Sequence, residues 1–281
     1  MVLTAVLVVA AGAVALRSVT GSRSGCQEAF VPAYFYPGAS WTGAITSQPP
    51  PSVMILDVTS SGAGSAPNRN YQAAVQRARA AGITIMGYSS TDYTRRPAAA
   101  VEADVTHYRS WYHVRDIFLD EASSDGGAAA YYQRLASYIH SVNPGSTVML
   151  NPGTYPDQRY MAIGDIVMVY ENTYANYVKL RVPGWVRNYP AAKFANAIYA
   201  TSGPELAGAI SLSRQRNAGY IYVTGNSGAN PYRALPAYWP AENAIIARCA
   251  HVAALAGGPG PAGTGPGTAT GKDGAARRER T

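Results

Sequence analysis

The chain has 281 residues, of which 47% are hydrophobic and 14% charged. This composition supports a large core and excludes a wholly disordered chain, which needs low hydrophobicity with high net charge. No uninterrupted apolar run reaches the roughly 18 residues of a membrane span, so a polytopic membrane protein is excluded as well.

The formal charge of +7 lies largely at the ends. Arg17 and Arg23 stand unopposed near the start, and Lys272, Arg277, Arg278 and Arg280 outnumber Asp273 and Glu279 near the finish. Residues 27–255 hold 17 basic and 14 acidic groups. Binding to phosphate backbones needs a basic stripe; none forms here, and no nucleic-acid partner is expected.

Residues 2–16 (VLTAVLVVAAGAVAL) are an apolar run in which Ala13-Val14-Ala15 offers a cleavage site. No Lys or Arg precedes the run, and Arg23 stands just ahead of Gly25-Cys26. A secretory leader, a lipoprotein-type anchor and a plain extension therefore remain alternatives for residues 1–26. At about 15 residues the run is short for a membrane span. The expected location is secreted or cell-surface, with no stable span beyond an N-terminal anchor.

The two cysteines, Cys26 and Cys249, flank the region read as folded. They cannot form a CxxC motif or a metal cluster, and neither a metal site nor a cofactor is predicted. In an exported protein a disulfide between them is expected, with two unpaired thiols as the alternative.

From residue 30 onward, short apolar runs rich in Val, Ile and Tyr alternate with helical patterns. The runs are 30–37 (FVPAYFYP), 53–58 (VMILDV), 84–89 (TIMGYS), 116–121 (DIFLDE), 147–152 (TVMLNP), 166–171 (IVMVYE), 194–200 (FANAIYA) and 220–225 (YIYVTG). Such runs suit strands buried on both faces. Helices are predicted over 70–81 (stopped by Gly82), 98–111, 127–141, 204–218 and 240–255, while 38–51 is poorly helical. Strand alternating with helix eight times predicts a single (β/α)8 TIM barrel, an α/β fold, over residues 27–255. A doubly wound open sheet is the alternative, disfavoured because no glycine-rich phosphate turn follows the first strand. Residues 256–281 are rich in Gly, Pro, Ala and Thr without periodicity, and a disordered tail is predicted. The protein is expected to be a monomer.

Active sites of such barrels lie at the C-terminal ends of the strands. Asp116 and Asp165 precede their strands and are read as structural. Asp57, Asp120, Glu121, Asn151 and Glu171 end theirs. Glycoside hydrolysis requires two carboxyl groups about the scissile bond, one donating a proton and the other attacking carbon or activating water. Asp120 and Glu171 can face each other across the mouth, whereas strand periodicity turns Glu121 away unless a bulge intervenes. For any one of these acids a solvated loop position is the competing explanation. None of the four histidines, His107, His113, His140 and His251, follows a predicted strand, which argues against a His-ligated metal or a Ser-His-Asp triad. Tyrosine, with 21 copies against four each of Phe and Trp, offers a flat apolar face and a hydroxyl suited to sugar rings. The substrate-binding candidates are Tyr34, Tyr36, Asp57, Tyr88, Tyr93, Asn151, Tyr174 and Trp239.

Several linked motifs then appear in order: Pro32-x-Tyr34-x-Tyr36-Pro37 with Trp41, Ser61-Gly62-Ala63-Gly64 with Asn68 and Tyr71, and Gly87-Tyr88-x-x-Thr91-x-Tyr93-x-x-Arg96. Trp111-Tyr112, Ile117-Phe118-Leu119-Asp120-Glu121, Leu150-Asn151-Pro152-Gly153-Thr154 and Tyr170-Glu171-x-x-Tyr174 follow. Together they resemble the spherulin-4-like proteins. The resemblance implies a secreted (β/α)8 glycoside hydrolase, endo-acting on α-1,4-linked galactosamine or N-acetylgalactosamine exopolysaccharide, with a polysaccharide as its partner. It implies Asp120, Glu121 and Glu171 as the catalytic candidates; the strand-end rule, the need for two carboxyls and this agreement together assign Asp120 as nucleophile or water-activating base, Glu171 as general acid/base and Glu121 in support. Asp57-Val58 departs from an expected Asn-Pro, and Ala63 and Asp116 replace a usual proline and glycine, which bears on sugar specificity. A surface or sporulation-associated protein that binds carbohydrate in the same cleft without cleaving it is the alternative.

Overall fold

The computed structural model describes residues 26–256. Residues 1–25 and 257–281, on which the expected leader and disordered tail fall, lie outside the described residues. So does the side chain of Cys249; Cys26 is buried just ahead of the first strand, and the expected disulfide stays a proposal.

Eight strands, β1 (Glu28–Ala33), β2 (Val53–Leu56), β3 (Thr84–Ser90), β4 (Asp116–Asp120), β5 (Val148–Leu150), β6 (Ile166–Thr173), β7 (Phe194–Tyr199) and β8 (Tyr220–Val223), form one closed barrel in chain order. Every neighbouring pair is parallel, and β1 closes on β8 with Glu28 opposite Tyr220 and Ala29 opposite Ile221. The strands are almost wholly buried, as their continuous apolar runs require. Each fully buried Val, Leu, Ile or Phe contributes roughly 1.5–3 kcal/mol relative to exposure.

The outer helices are α1 (Ala39–Ile45), α2 (Arg69–Ala80), α3 (Ala98–Tyr112), α4 (Ala129–Val142), α5 (Tyr174–Tyr177), α6 (Leu206–Gln215) and α7 (Trp239–Ala256). The local signals explain α2: Asn68 caps its start by accepting from the Asn70 N–H at 2.9 Å. Gly82, at φ +84°, takes the left-handed position past its end. No described helix is long and apolar enough to cross a membrane.

The structure departs from the expected pattern in three places. β1 ends at Ala33, so Tyr34 and Tyr36 belong to the following loop. Trp41 in α1 donates its indole N–H to the Phe35 carbonyl at 3.0 Å and helps hold that loop. Full helices are also missing from two of the eight connections. After β5 there is a 3-10 turn, Gln158–Ala162, and after β6 only the single turn α5 and two 3-10 turns. There Val167, Val169, Phe194, Met161 and Val186 form a separate apolar cluster, packed against Tyr155, Trp185 and Tyr189, in place of a covering helix. Finally, β6 carries an extra residue between Met168 and Tyr170 in its pairing with β7, and such a bulge re-aims the side chains that follow it.

At the N-terminal face Asp116 accepts from the Thr147 N–H at 2.7 Å and Asp165 from the Val148 N–H at 2.8 Å. Both tie strand starts together. Glu242 in α7 is fully buried and accepts from the Val223 N–H at the end of β8 at 2.7 Å. Burial pushes its carboxyl well above the usual range, so the folded chain keeps it neutral while the unfolded chain ionises it. The wild type therefore loses stability as pH rises past the ordinary carboxylate range. Glu242→Gln, which mimics the neutral acid, should match or exceed wild-type stability in denaturant unfolding at pH 7, with the difference shrinking toward pH 4. Glu242→Ala should cost about 1–3 kcal/mol, because the Val223 N–H loses its acceptor.

Candidate active site

Three adjacent strand ends meet at Asn151. Asp120 is the last residue of β4, Asn151 directly follows β5, and Glu171 lies in β6 two residues beyond its bulge. The backbone of Asn151 is laced to β4: its N–H donates to the Leu119 carbonyl and its carbonyl accepts from the Ala122 N–H, each at 2.9 Å. Its side-chain oxygen accepts from the Gly153 N–H at 2.9 Å. That contact leaves the amide nitrogen facing the two acids, to which it donates: Asp120 Oδ1 at 2.6 Å and Glu171 Oε2 at 2.5 Å. Two oxygens bound to one nitrogen lie no more than about 5 Å apart. Gly153 makes the turn behind them at φ +64°, a left-handed conformation that favours glycine. Its carbonyl accepts from the Glu171 N–H at 3.0 Å.

The electrostatics follow from this crowding. Burial, and next the nearby charge of Glu171, push the Asp120 carboxyl up to about 7, against the opposing pull of the Tyr88 hydroxyl, the Glu121 N–H and Asn151. Two interacting carboxyls titrate as a unit, and here a proton is retained in the pair up to about neutral pH. Above them the Tyr34 ring packs edge-on against Tyr88 at 5.3 Å and Tyr232 at 5.5 Å. A cleft of about 320 Å³ opens over the acids, lined by Tyr34, Asp120, Glu171, Tyr199 and residues 228–232. Its size is that of a small-ligand site.

Glu121 is brought to the site by its backbone. It sits at φ +50°, and its carboxylate accepts from the Ser90 hydroxyl at the end of β3. Its carbonyl accepts from the Tyr93 N–H at 2.8 Å and the Thr91 hydroxyl at 2.9 Å. Asp92, Tyr93 and Thr94 are all left-handed, with φ of +46°, +52° and +79°. Such residues carry strain of order 1–3 kcal/mol each and persist where their surroundings enforce them. The enforcement is visible: the Arg96 guanidinium donates to the Ser61 carbonyl at 2.7 Å, the Ser90 carbonyl at 2.9 Å and the Ser89 hydroxyl at 3.0 Å, and pairs with the buried Asp104 at 2.7 Å. Asp104 also accepts from Ser89 and from the Ala63 N–H. Gly62 belongs to this arrangement, since a Cβ there would fall 2.1 Å from an Asp104 oxygen.

The remaining candidates are spread more widely. Tyr93 is exposed at the mouth, with Arg95 over its ring at 5.8 Å. Tyr36 lies on the rim, its ring against Tyr71 and its hydroxyl accepting from Asn70 of α2 at 2.5 Å. Asp57 accepts from the Ser60 N–H at 2.7 Å in its own turn, and burial raises its carboxyl. Tyr174 starts α5 and directs its hydroxyl toward Gly208 of α6, outside the cleft lining. Trp239 is a correction: it starts α7, is buried, and packs on Tyr222 in the core, 6.3 Å between ring centres. Tyr199 and Tyr232 line the cleft and are absent from the sequence-based set. Tyr199 ends β7, so the strand-end rule could have found it. Tyr232 lies in a long loop where nothing in the sequence separates it from Tyr238 or Trp239.

The profile of Spherulation-specific family 4 matches residues 28–246 of the chain. Spherulin-4 of Physarum polycephalum is 32% identical over 241 residues, covering 81% of this chain and 72% of the relative. Among solved structures, Aspergillus clavatus Sph3, crystallised in complex with GalNAc, has a TM-score of 0.68 at 24% identity, covering 79% of this chain and 98% of Sph3. A GH18 chitinase from Pseudoalteromonas aurantia has a TM-score of 0.51 at 11% identity, covering 80% and 99%. Both likenesses are of the barrel fold. The family profile spans the barrel from β1 into α7, and on that match, together with the identity to spherulin-4, the chain belongs to Spherulation-specific family 4.

Proposed function

We propose that the protein is an extracellular glycoside hydrolase, endo-acting on an α-1,4-linked galactosamine or N-acetylgalactosamine exopolysaccharide. The observation that carries this reading is the Asn151 amide holding Asp120 and Glu171 side by side at the foot of a tyrosine-walled cleft. Two carboxyl groups about a scissile bond are the minimal machinery of glycoside hydrolysis. Tyrosine rings suit the C–H face of a sugar. Among the described residues no Lys or Arg lines the cleft, and an acidic site without a cation suits a sugar that carries an amine. Among the structural relatives, Sph3 holds GalNAc. The apolar leader supports export.

Retaining glycosidases have carboxyl groups about 5–5.5 Å apart, whereas inverting ones leave room for a water between them. The shared donor supports retention. Asp120 attacks the anomeric carbon as the glycosidic C–O bond breaks, and the leaving oxygen takes a proton from Glu171. Water then cleaves the glycosyl–Asp120 ester while Glu171 takes back a proton. In the open cleft, burial biases the shared proton toward Asp120. A sugar ring bearing developing positive charge favours ionised Asp120, so the proton passes to Glu171 as the substrate seats.

Reducing-end release from galactosamine polymers of defined acetylation tests the reading. Asp120→Asn and Glu171→Gln should each lower turnover by about a hundredfold or more with the fold intact, and Glu121→Gln should do less. Near-normal turnover in either of the first two removes that residue from the mechanism. Binding without cleavage by the wild type would instead select the non-catalytic carbohydrate-binding reading.

The pH profile supplies a second check. The acid step needs the proton that the pair retains up to about neutral pH, and deprotonation removes it. The rate should therefore fall on the alkaline side as pH rises through about 7. A rate that keeps climbing to pH 9 contradicts the assignment.

A further inference from the structure

Tyr232 is 4% exposed and is set in the β8–α7 loop by its N–H, which donates to the Asn230 side chain at 2.8 Å. Its ring is wedged between Tyr34 at 5.5 Å and Tyr222 at 6.0 Å, so it cannot swing away without breaking core packing. Among the described residues nothing meets hydrogen-bond geometry with its buried hydroxyl, which lies in the cleft wall with Glu171. A buried hydroxyl without a partner costs about 1–3 kcal/mol, and the acceptor it faces is the Glu171 carboxylate. That carboxylate gives Oε2 to Asn151, which leaves its second oxygen for another donor. Tyr88 stands in the matching position on the other side of Tyr34, next to Asp120.

We infer that Tyr232 is a positioning residue for Glu171: its hydroxyl donates to the carboxylate oxygen that Asn151 leaves open, fixing the carboxyl plane and stabilising its ionised form. This role rests on the reading of Asp120 and Glu171 as the working pair, and it adds a residue from a loop, in place of a strand end, to that site. The titratable groups facing Glu171 are Asp120 on β4, Tyr34 after β1, Tyr93 after β3, Tyr199 at the end of β7 and Tyr232 itself. Of these, burial holds the hydroxyls of Tyr34, Tyr93 and Tyr232 above the ordinary tyrosine range, so they stay protonated while the carboxyls titrate. A donor to the ionised form lowers a carboxyl's affinity for protons, and its loss raises it.

The test is a carboxyl-carbon NMR titration of the full chain without substrate, comparing wild type with Tyr232→Phe. The substitution keeps the wedged ring and removes only the hydroxyl. The lower titration step of the Asp120–Glu171 pair, in which Glu171 ionises while Asp120 keeps its proton, should move up by about one pH unit, the size expected for losing one hydrogen bond to a charged group. In the unmodified protein, the Tyr232 Cζ signal should shift at the midpoint of that step. An unmoved carboxyl titration in Tyr232→Phe, or a Tyr232 signal flat across that midpoint, overturns the inference. Because no substrate is present, these outcomes are separate from those for hydrolysis: a protein that cleaves no polymer can still show the shift, and one that cleaves can lack it.

Discussion

A single side-chain amide stands between two acids at the C-terminal mouth of the barrel, and its orientation is not free. The Gly153 N–H claims the Asn151 oxygen, so the nitrogen must face Asp120 and Glu171, one hydrogen for each. Two carboxyls held this close cannot both ionise cheaply in a buried setting, and Asp120 rises accordingly to about 7. Spacing and orientation of the pair thus follow from one residue placed after β5, while burial, and next the charge of Glu171, hold the Asp120 proton against the pull of that amide. That placement depends in turn on the ladder bonds to Leu119 and Ala122 and on the bulge that precedes Glu171 in β6.

The surroundings serve the same geometry from two sides. On one, the Arg96–Asp104 pair clamps the end of β3, where the left-handed run 92–94 presents Tyr93 and supports Glu121. On the other, the loop after β8 closes the cleft with residues 228–232. Tyr34 touches both Tyr88 and Tyr232 and so couples the two halves. The strain in the β3 loop is tolerable because the Arg96–Asp104 pair and its hydrogen bonds to the end of β3 enforce it. Tighter packing elsewhere in the barrel, including the fully buried strand residues, supplies the stability against which such strain is set.

The eight strands were legible because strands buried on both faces leave short, nearly continuous apolar runs, and the strand-end rule then selects Asp120, Asn151 and Glu171 by position alone. Glu121 was not placed by the same logic: alternation turns it outward, and a left-handed backbone at that one residue, invisible in composition, returns it to the site. Trp239 was drawn toward the cleft as an aromatic after the last strand, but it begins α7 and is consumed by the core. Tyr232, a few residues earlier in the same loop, occupies the cleft wall. The sequence carries no periodic signal in that loop, so only the closed fold distinguishes the two. The missing helices after β5 and β6 are of the same kind, since an apolar cluster from those connections packs on Val167 and Val169 of β6 without helical spacing.

In the proposed mechanism one amide holds the two carboxyls at the separation of a double-displacement site. Proton NMR of the first reducing ends released from an α-1,4-linked galactosamine polymer, recorded before mutarotation, reads that separation as stereochemistry. The proposed mechanism predicts α-anomers, the retained configuration, because no more than about 5 Å between the bridged carboxyl oxygens leaves no room for a water between acid and sugar. β-Anomers as the first product would contradict it, and would mean that the Asn151 bridge opens when the substrate binds.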